Sequence, residues 1–497
     1  MPRKALVTGE DVKSAFSLFC CVYGIGTLGM PGNFSRAGPL LAVVAMVFMA
    51  FANVYGAVAI CRVMLLAPKS VRTYGDLGQW CMGAPGRYLA VISQMANCLL
   101  VPCVFLVLGG QLLDGLFPHA FSTSTWIVFM AISCTPVCLV PTLKEGAALA
   151  FAGCMGTIIA DVLGVGIVLY GMRGHPSVPT PDLTFKQVAG TFGNLALAYG
   201  AGIVVPSLQR QHSDPTRMPY VVGVTMLVIS ALFLVLATSA YSAVGCQISG
   251  NLLYAIYPHE TTGLTTLGFA SDWGTVVLAY LFMQLHITIA FSVILNPAFY
   301  IAERIVLGMH KPAGITDLET NGDSYVGAPS PDESEHDKRH SQTSGVSKPH
   351  SVLSVAGNED GPSDDDLEIE PSEYRGANAV KYMALRLFMI AGLVVASVLL
   401  KDHFHDLTDF TGASCIMINS IVLPIVFLMK KKWNVLPMWE KVPALVVIVV
   451  CFSLGCYVTY TSGKNLFAPS HDDRAFPFCA PEFEYAVYYN YTATHAS

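Results

Sequence analysis

The stretch Val22-Tyr23-Gly24-Ile25-Gly26-Thr27-Leu28-Gly29-Met30-Pro31-Gly32-Asn33-Phe34 lies inside an apolar run of membrane-helix length, yet carries four glycines and a proline. Glycine and proline end helices. At membrane depth an unpaired backbone amide costs several kcal/mol. A chain that breaks a helix there must satisfy the freed amides and carbonyls with something else, and what that is decides both fold and function.

The surrounding composition places the run in a bilayer. The 497-residue chain is 53% hydrophobic and 12% charged, with a mean hydropathy of +0.54. A soluble domain carries roughly 25% charge. The net charge of −6 gives no reason to expect a nucleic-acid partner, because there is no basic stripe to follow a phosphate backbone. The start, MPRKALVTGEDVKSAF, is polar and lacks a cleavable leader pattern, so the first span is expected to act as its own signal. Most of the 14 cysteines fall in apolar segments, where they read as small packing residues.

At roughly 20 apolar residues per crossing, the expected architecture is an all-α membrane protein of about eleven transmembrane helices. The expected spans are 12–36, 38–66, 87–117, 124–141, 147–172, 186–208, 218–245, 272–308, 379–400, 408–430 and 441–462. Residues 1–11 form an N-terminal segment, 12–309 spans one to eight, 379–462 spans nine to eleven, and 463–497 a tail. The intervening 310–378 is acidic and Ser-rich, lacks an apolar period and reads as a disordered loop.

Lys and Arg orient the chain. With the N-terminus in the cytoplasm, all of the 28 except Arg36, Arg173, Lys186, Lys401, Lys464 and Arg474 fall on the inner side. The C-terminus is then extracellular or lumenal, which makes Asn490 in Asn490-Tyr491-Thr492 a usable glycosylation acceptor. Asn33-Phe34-Ser35 matches the same pattern but sits too close to the membrane. Cys246 and Cys479 share the outer side; sequence leaves open whether they pair.

Two readings compete for the glycines of the first span. Small-residue packing between helices predicts a spacing of four and no proline. An unwound segment predicts crowding before a proline, which is the pattern of Gly24, Gly26, Gly29 and Pro31. The sixth span repeats the theme with Gly193, Asn194, Tyr199, Gly200, Gly202 and Pro206. The sixth span comes five helices after the first, the interval an inverted five-helix repeat gives, although no repeat is evident in the residues themselves.

At this point the sequence resembles the amino acid/auxin permease family, which has a LeuT-like fold. The resemblance rests on the GxGxLxxP block at Gly24 to Pro31, on Ala198-Tyr199-Gly200 followed by Pro206-Ser207-Leu208-Gln209, on Asn296-Pro297 and Glu303-Arg304 of the eighth span, and on Phe410-Thr411-Gly412. It implies a 5+5 inverted repeat plus one extra helix, with spans 1 and 6 discontinuous and spans 1, 3, 6 and 8 lining a substrate pocket. It implies, too, that Gly24, Ile25, Gly26, Thr27 and Leu28 hold an amino acid's carboxylate, while Asn194, Ala198, Tyr199 and Gly200 take its amine and side chain, with Tyr23 shaping the pocket. Where sodium-coupled members have an asparagine, this chain has Cys20, a poor ligand for a hard cation. Thr288 and Ser292 still offer hydroxyl oxygens, so sodium is the lesser expectation.

Protons need titratable groups at depth. Asp161 in the fifth span and His286 in the eighth are the two candidates, each set against the blander role of bonding a neighbouring helix. Gln94, Asn97 and Gln111 read chiefly as interhelical polar contacts, whereas Asp114, Arg62, Glu303 and Arg304 near span ends are expected to reach water.

The function expected is a secondary active, proton-coupled carrier of small amino acids, with no cofactor, in a plasma or vacuolar/lysosomal membrane. A second class is an amino acid sensor signalling through a cytoplasmic regulator of the 310–378 loop. A channel ranks lower, for want of a ring of acidic groups. An enzyme ranks below that, because HExxH, GxSxG and paired acidic metal motifs are all missing from the spans.

Overall fold

The computed structural model describes residues 7–140, 146–173, 181–309, 374, 376–467 and 478–480. Nearly all of the 310–378 loop, and Asn490 with the end of the tail, lie outside the described residues. Among the described residues the fold is all-helical, with isolated β-bridges such as Pro181 to Cys479 in place of strands.

In chain order the helices are α1 (Gly9–Val22), α2 (Met30–Met64), α3 (Tyr74–Met82), α4 (Ala84–Leu116), α5 (Thr123–Leu139), α6 (Gly146–Gly171), α7 (Phe185–Ala198), α8 (Val205–Gln211), α9 (Met218–Val244), α10 (Leu252–Ala255), α11 (Trp273–Ala302), α12 (Ala377–Leu400), α13 (Phe404–Thr411), α14 (Leu423–Lys432) and α15 (Met438–Phe467). The starts of α1, α3 and α7 are fixed by capping boxes at Thr8, Thr73 and Thr184. Two π-helical turns, Gly412–Ile416 and Ile418–Val422, link α13 to α14.

Seven helical stretches are long and apolar enough to cross a bilayer, with the 17-residue α5 a shorter apolar one. That number differs from the sequence expectation for physical reasons. Helix α2 runs through two expected spans that meet at Gly38, where φ of 71° and the following Pro39 turn the chain; only glycine adopts that backbone freely. Conversely, α1 and α7 have 14 residues each and α8 has 7, so no one of these pieces crosses alone.

Helices α1, α2, α6, α7, α9 and α11 pack around the broken segments, and one large apolar cluster runs through the bundle. On the face opposite the N-terminus, Cys246 and Cys479 form a disulfide with Cα atoms 5.2 Å apart. It ties residues 478–480 to the segment after α9, beside the hydrogen bond from the Asp182 amide to the Phe478 carbonyl.

Glu303 corrects a sequence expectation. Far from reaching water, it and Arg386 are both 0% exposed and paired at 2.7 Å. The guanidinium also donates to the Cys138 and Val140 carbonyls, and the Tyr374 hydroxyl donates to the other carboxylate oxygen at 3.0 Å. Glu303 starts a π-helical turn that extends α11, and α12 packs against it. A charge at a helix end is solvated only where no neighbouring helix covers that end.

Candidate functional site: two helix breaks that meet

Helix α1 stops at Val22. Tyr23 is extended (φ −79°, ψ 94°), Gly24 is outside the helical region (φ −150°, ψ −148°), and Ile25–Gly29 form a 3-10 turn before α2 begins at Met30 with Pro31 in its first turn. The α7–α8 pair behaves alike: α7 ends at Ala198, and Tyr199 to Val204 leave the helix before Pro206 opens α8. Proline suits a first turn because its missing amide would be unpaired there in any case.

The two interruptions touch. A Cβ built on Gly26 would sit 2.6 Å from both Cα and Cβ of Ala198, so only glycine permits this approach. Asn33 Nδ2 donates to Asn194 Oδ1 at 3.0 Å, joining the resumed helix of the first break to the last turns before the second. Asn33 is therefore buried and engaged, which removes it as a glycan acceptor.

Between the breaks lies a cavity of about 20 Å³, lined by Ile25, Gly26 and Gly29, by Asn194, and by Phe404 and Thr408 of α13, with Leu108, Asn251 and others completing the wall. That volume holds about one water molecule. Its ends carry opposite partial charges. The helical stretch that runs from Ile25 into α2 has no side-chain cap at Gly24, so its first amides present a positive dipole end, whereas α7 presents its negative C-terminal carbonyls at Ala198. An anion favours the first and a cation the second.

Asp161 belongs to this centre. It is 2% exposed, and its Oδ1 accepts from Thr27 Oγ1 at 2.9 Å, inside the first break. The Tyr23 hydroxyl approaches the same carboxyl group, whose Oδ2 is unbonded. His286 of α11 also borders that break. Its Nδ1 donates to the Gly153 carbonyl at 3.1 Å, which leaves Nε2 aimed at Gly24, only 2.9 Å from where a Cβ there would be. Both titratable candidates thus border the first break.

The remaining candidates are distributed differently. Tyr23 and Tyr199 both lean on Phe233 of α9, with ring centroids 5.7 and 5.1 Å away, and Tyr199 donates to Ser230 at 2.9 Å. Tyr199 is thus held against α9 and takes no part in the cavity wall. Leu28 lines the cavity, while Gly200 has only ordinary van der Waals contact with Ile416. Thr288 donates to the Gln284 carbonyl of its own helix, and Ser292 accepts from Cys138 and so faces α5. Gln111 bonds the Lys401 carbonyl and the Tyr254 hydroxyl, acting between helices.

Two features of the site escaped the sequence reading. One is the contribution of α13 through Phe404 and Thr408. The other is a pair of ionic closures, one toward each face. Arg36 of α2 binds Asp409 of α13 through two hydrogen bonds of 3.0 and 2.5 Å, with side chains 10% and 4% exposed. Asp11 of α1 receives Arg217 Nη2 at 2.6 Å and faces His212 Nε2 at 3.2 Å. Hydrogen bonding from Arg217 holds the Asp11 carboxyl well below the usual carboxylate range. Arg36 and Asp409 are 373 residues apart, a pairing no local pattern reveals.

The fold and site define a multi-pass integral membrane protein of LeuT-like architecture. The chain belongs to the transmembrane amino acid transporter protein family, whose model matches residues 8–464. It is similar to the amino acid transporter AVT1D of Arabidopsis thaliana (26% identity, covering 52% of this chain and 48% of that one). A similar likeness links it to the vacuolar amino acid transporter 7 of Saccharomyces cerevisiae (25% identity, 51% and 53%). The match spans about half the length of these curated relatives. Among solved structures, MhsT in complex with L-phenylalanine superposes with a TM-score of 0.50 at 10% identity, over 92% of this chain and 98% of that one. A mutant manganese transporter of Eremococcus coleocola gives 0.51 at 12% identity, over 95% and 91%. These structural likenesses speak to the fold alone.

Proposed function

We propose that this chain is a secondary amino acid carrier working by alternating access, with a proton as the coupling ion. The observation that carries the reading is the junction of Gly26 with Ala198 and of Thr27 with Asp161. One short peptide segment thereby touches both the facing helix end and a buried carboxyl group. A zwitterion would set its carboxylate on the uncapped amides at Ile25 and Gly26 and its ammonium on the carbonyls at Ala198, which suits α-amino acids as a class. Small side chains are favoured because Leu108, Leu197 and Phe404 leave little room.

Both ionic closures are formed and the cavity is water-sized, so cargo enters only when one of them opens. Releasing Arg36 from Asp409 frees α2 and α13 on one face; releasing Asp11 from Arg217 frees α1 and the start of α9 on the other. Protonation at Asp161 acts on the Thr27 hydrogen bond and hence on the same segment that holds cargo. The engagement of Ser292 with Cys138 of α5 weighs against sodium.

The orientation we favour puts the N-terminus in the cytoplasm. The positive-inside bias supports it, as does a disulfide on the far face, which suits an oxidising exterior or lumen. The vacuolar name of one relative supports a vacuolar or lysosomal membrane as the location. A cytoplasmic regulator of the 310–378 loop would act through Tyr374, which is bonded to Glu303. Uptake of labelled amino acids into proteoliposomes, with and without an imposed pH gradient, tests the proposal. Flux that rises with an inward proton gradient is expected; absence of flux for every amino acid removes it.

A further inference from the structure

Where the C-terminal part of α2 meets the start of α15, a second and much larger cavity opens, of about 550 Å³. Phe51 and Tyr55 stack one turn apart on α2, with ring centroids 6.0 Å apart, and Arg62 follows two turns later. Trp439, Glu440 and Pro443 form the facing wall. Glu440 closes the polar end of the groove, accepting from Tyr55 at 3.2 Å and from both terminal nitrogens of Arg62. Phe51, farther along the groove from Arg62, is 50% exposed, and Trp439, beside Glu440, is 77% exposed. Both helices continue outward with exposed valines, Val44 and Val47 on one and Val446 and Val449 on the other, so the mouth of the groove opens to hydrocarbon rather than to water.

The charge around it is one-sided. Glu440 neutralises Arg62, and between Lys430 and Lys441 the chain adds Lys430, Lys431, Lys432 and Lys441 with no other acidic residue. Two of these ammonium groups are held over aromatic rings, Lys431 at 3.6 Å from Trp80 and Lys441 at 4.9 Å from Trp433. Tryptophans at this level mark the interface between headgroups and acyl chains. Lys441 directly follows the groove-lining Glu440, and a basic group beside a groove between spanning helices matches a phosphate headgroup above an acyl chain.

We propose that this groove is a binding site for one anionic phospholipid, with its acyl chain against Phe51 and Trp439 and its phosphate at the lysine run. The site rests on the membrane embedding of the chain and not on its transport activity. Bound lipid would bridge α2, which carries the resumed half of the first break, to α15.

The test uses the full chain in vesicles with identical leaflets, so orientation does not matter. Tryptophan fluorescence is read with brominated phosphatidylserine or brominated phosphatidylcholine, and the part due to Trp439 is taken as the difference from W439F. Each lysine near an anionic surface contributes roughly fivefold in local enrichment. Quenching at Trp439 should therefore favour phosphatidylserine by about tenfold or more in apparent affinity, and the preference should fall to near parity in K432E/K441E. K464E, on the far face, should retain it. Equal quenching by the two lipids, or a preference that survives K432E/K441E, overturns the proposal. Either result leaves the uptake experiment untouched.

Discussion

Replacing Gly26 by alanine is the sharpest single perturbation of the proposed site. The new Cβ would lie 2.6 Å from the Cα and Cβ of Ala198, against an ordinary carbon–carbon contact of about 3.5–4.0 Å. The two breaks must therefore separate by about 1 Å, and because one partner is backbone, no rotamer change relieves the clash. Overpacking of this kind costs about 1–3 kcal/mol. If the cargo-competent state requires the contact, that range corresponds to roughly a five- to 150-fold weakening of apparent amino acid affinity. The A198G change removes the Cβ but leaves the Cα, so G26A/A198G should recover only part of the loss. A Cβ added at Gly392 in α12 would meet nothing within 4 Å, and G392A serves as the control that should keep wild-type uptake. The assay is concentration-dependent uptake in proteoliposomes, normalised to monodisperse protein. Wild-type apparent affinity in G26A would refute the claim that the contact shapes the site.

Further expectations concern coupling, closure and folding. D161N keeps an acceptor for Thr27 but cannot exchange a proton, so it should retain amino acid exchange while losing stimulation by a pH gradient; persistent stimulation counts against Asp161 as the coupling group. D409N leaves the Arg36 charge buried without its counterion, a loss of about 3–5 kcal/mol for a buried pair. A cysteine introduced by T408C should then react more than tenfold faster with an impermeant maleimide than in the otherwise wild-type chain. Asp11 gives a pH prediction: its pKa is depressed, so its pairing is fully present above the ordinary carboxylate value and is lost only as pH falls through the depressed one. Acidification from pH 7 to about pH 5 should leave this closure intact, read as unchanged labelling of a cysteine placed beside it. C246S should lower unfolding stability by about 2–5 kcal/mol, matched by reduction of the wild type.

Much of this was legible in the sequence because glycine and proline report backbone geometry directly. Gly24 to Pro31 marks a break, and Asp161 was conspicuous because a carboxyl group in an apolar span has few ordinary uses. What stayed hidden depends on which helices become neighbours. Arg36 looked like a stray cation on the outer side until α13 brought Asp409 to it. Glu303 looked solvated until Arg386 covered it. Tyr199 carried a pocket-like signature yet bonds Ser230, since its position beside the break does not determine its rotamer. The number of crossings blurred for a related reason: hydropathy counts apolar runs, whereas the chain divides some runs into half-helices and fuses others at Gly38.

The most direct test of the central claim is a map of the protein with an amino acid bound. The account predicts density for the carboxylate at the amides around Ile25 and Gly26 and for the ammonium at the carbonyls around Ala198, with Gly26 and Ala198 still in contact beside it. An amino acid bound elsewhere, with these two segments helical and closed on themselves, would contradict it.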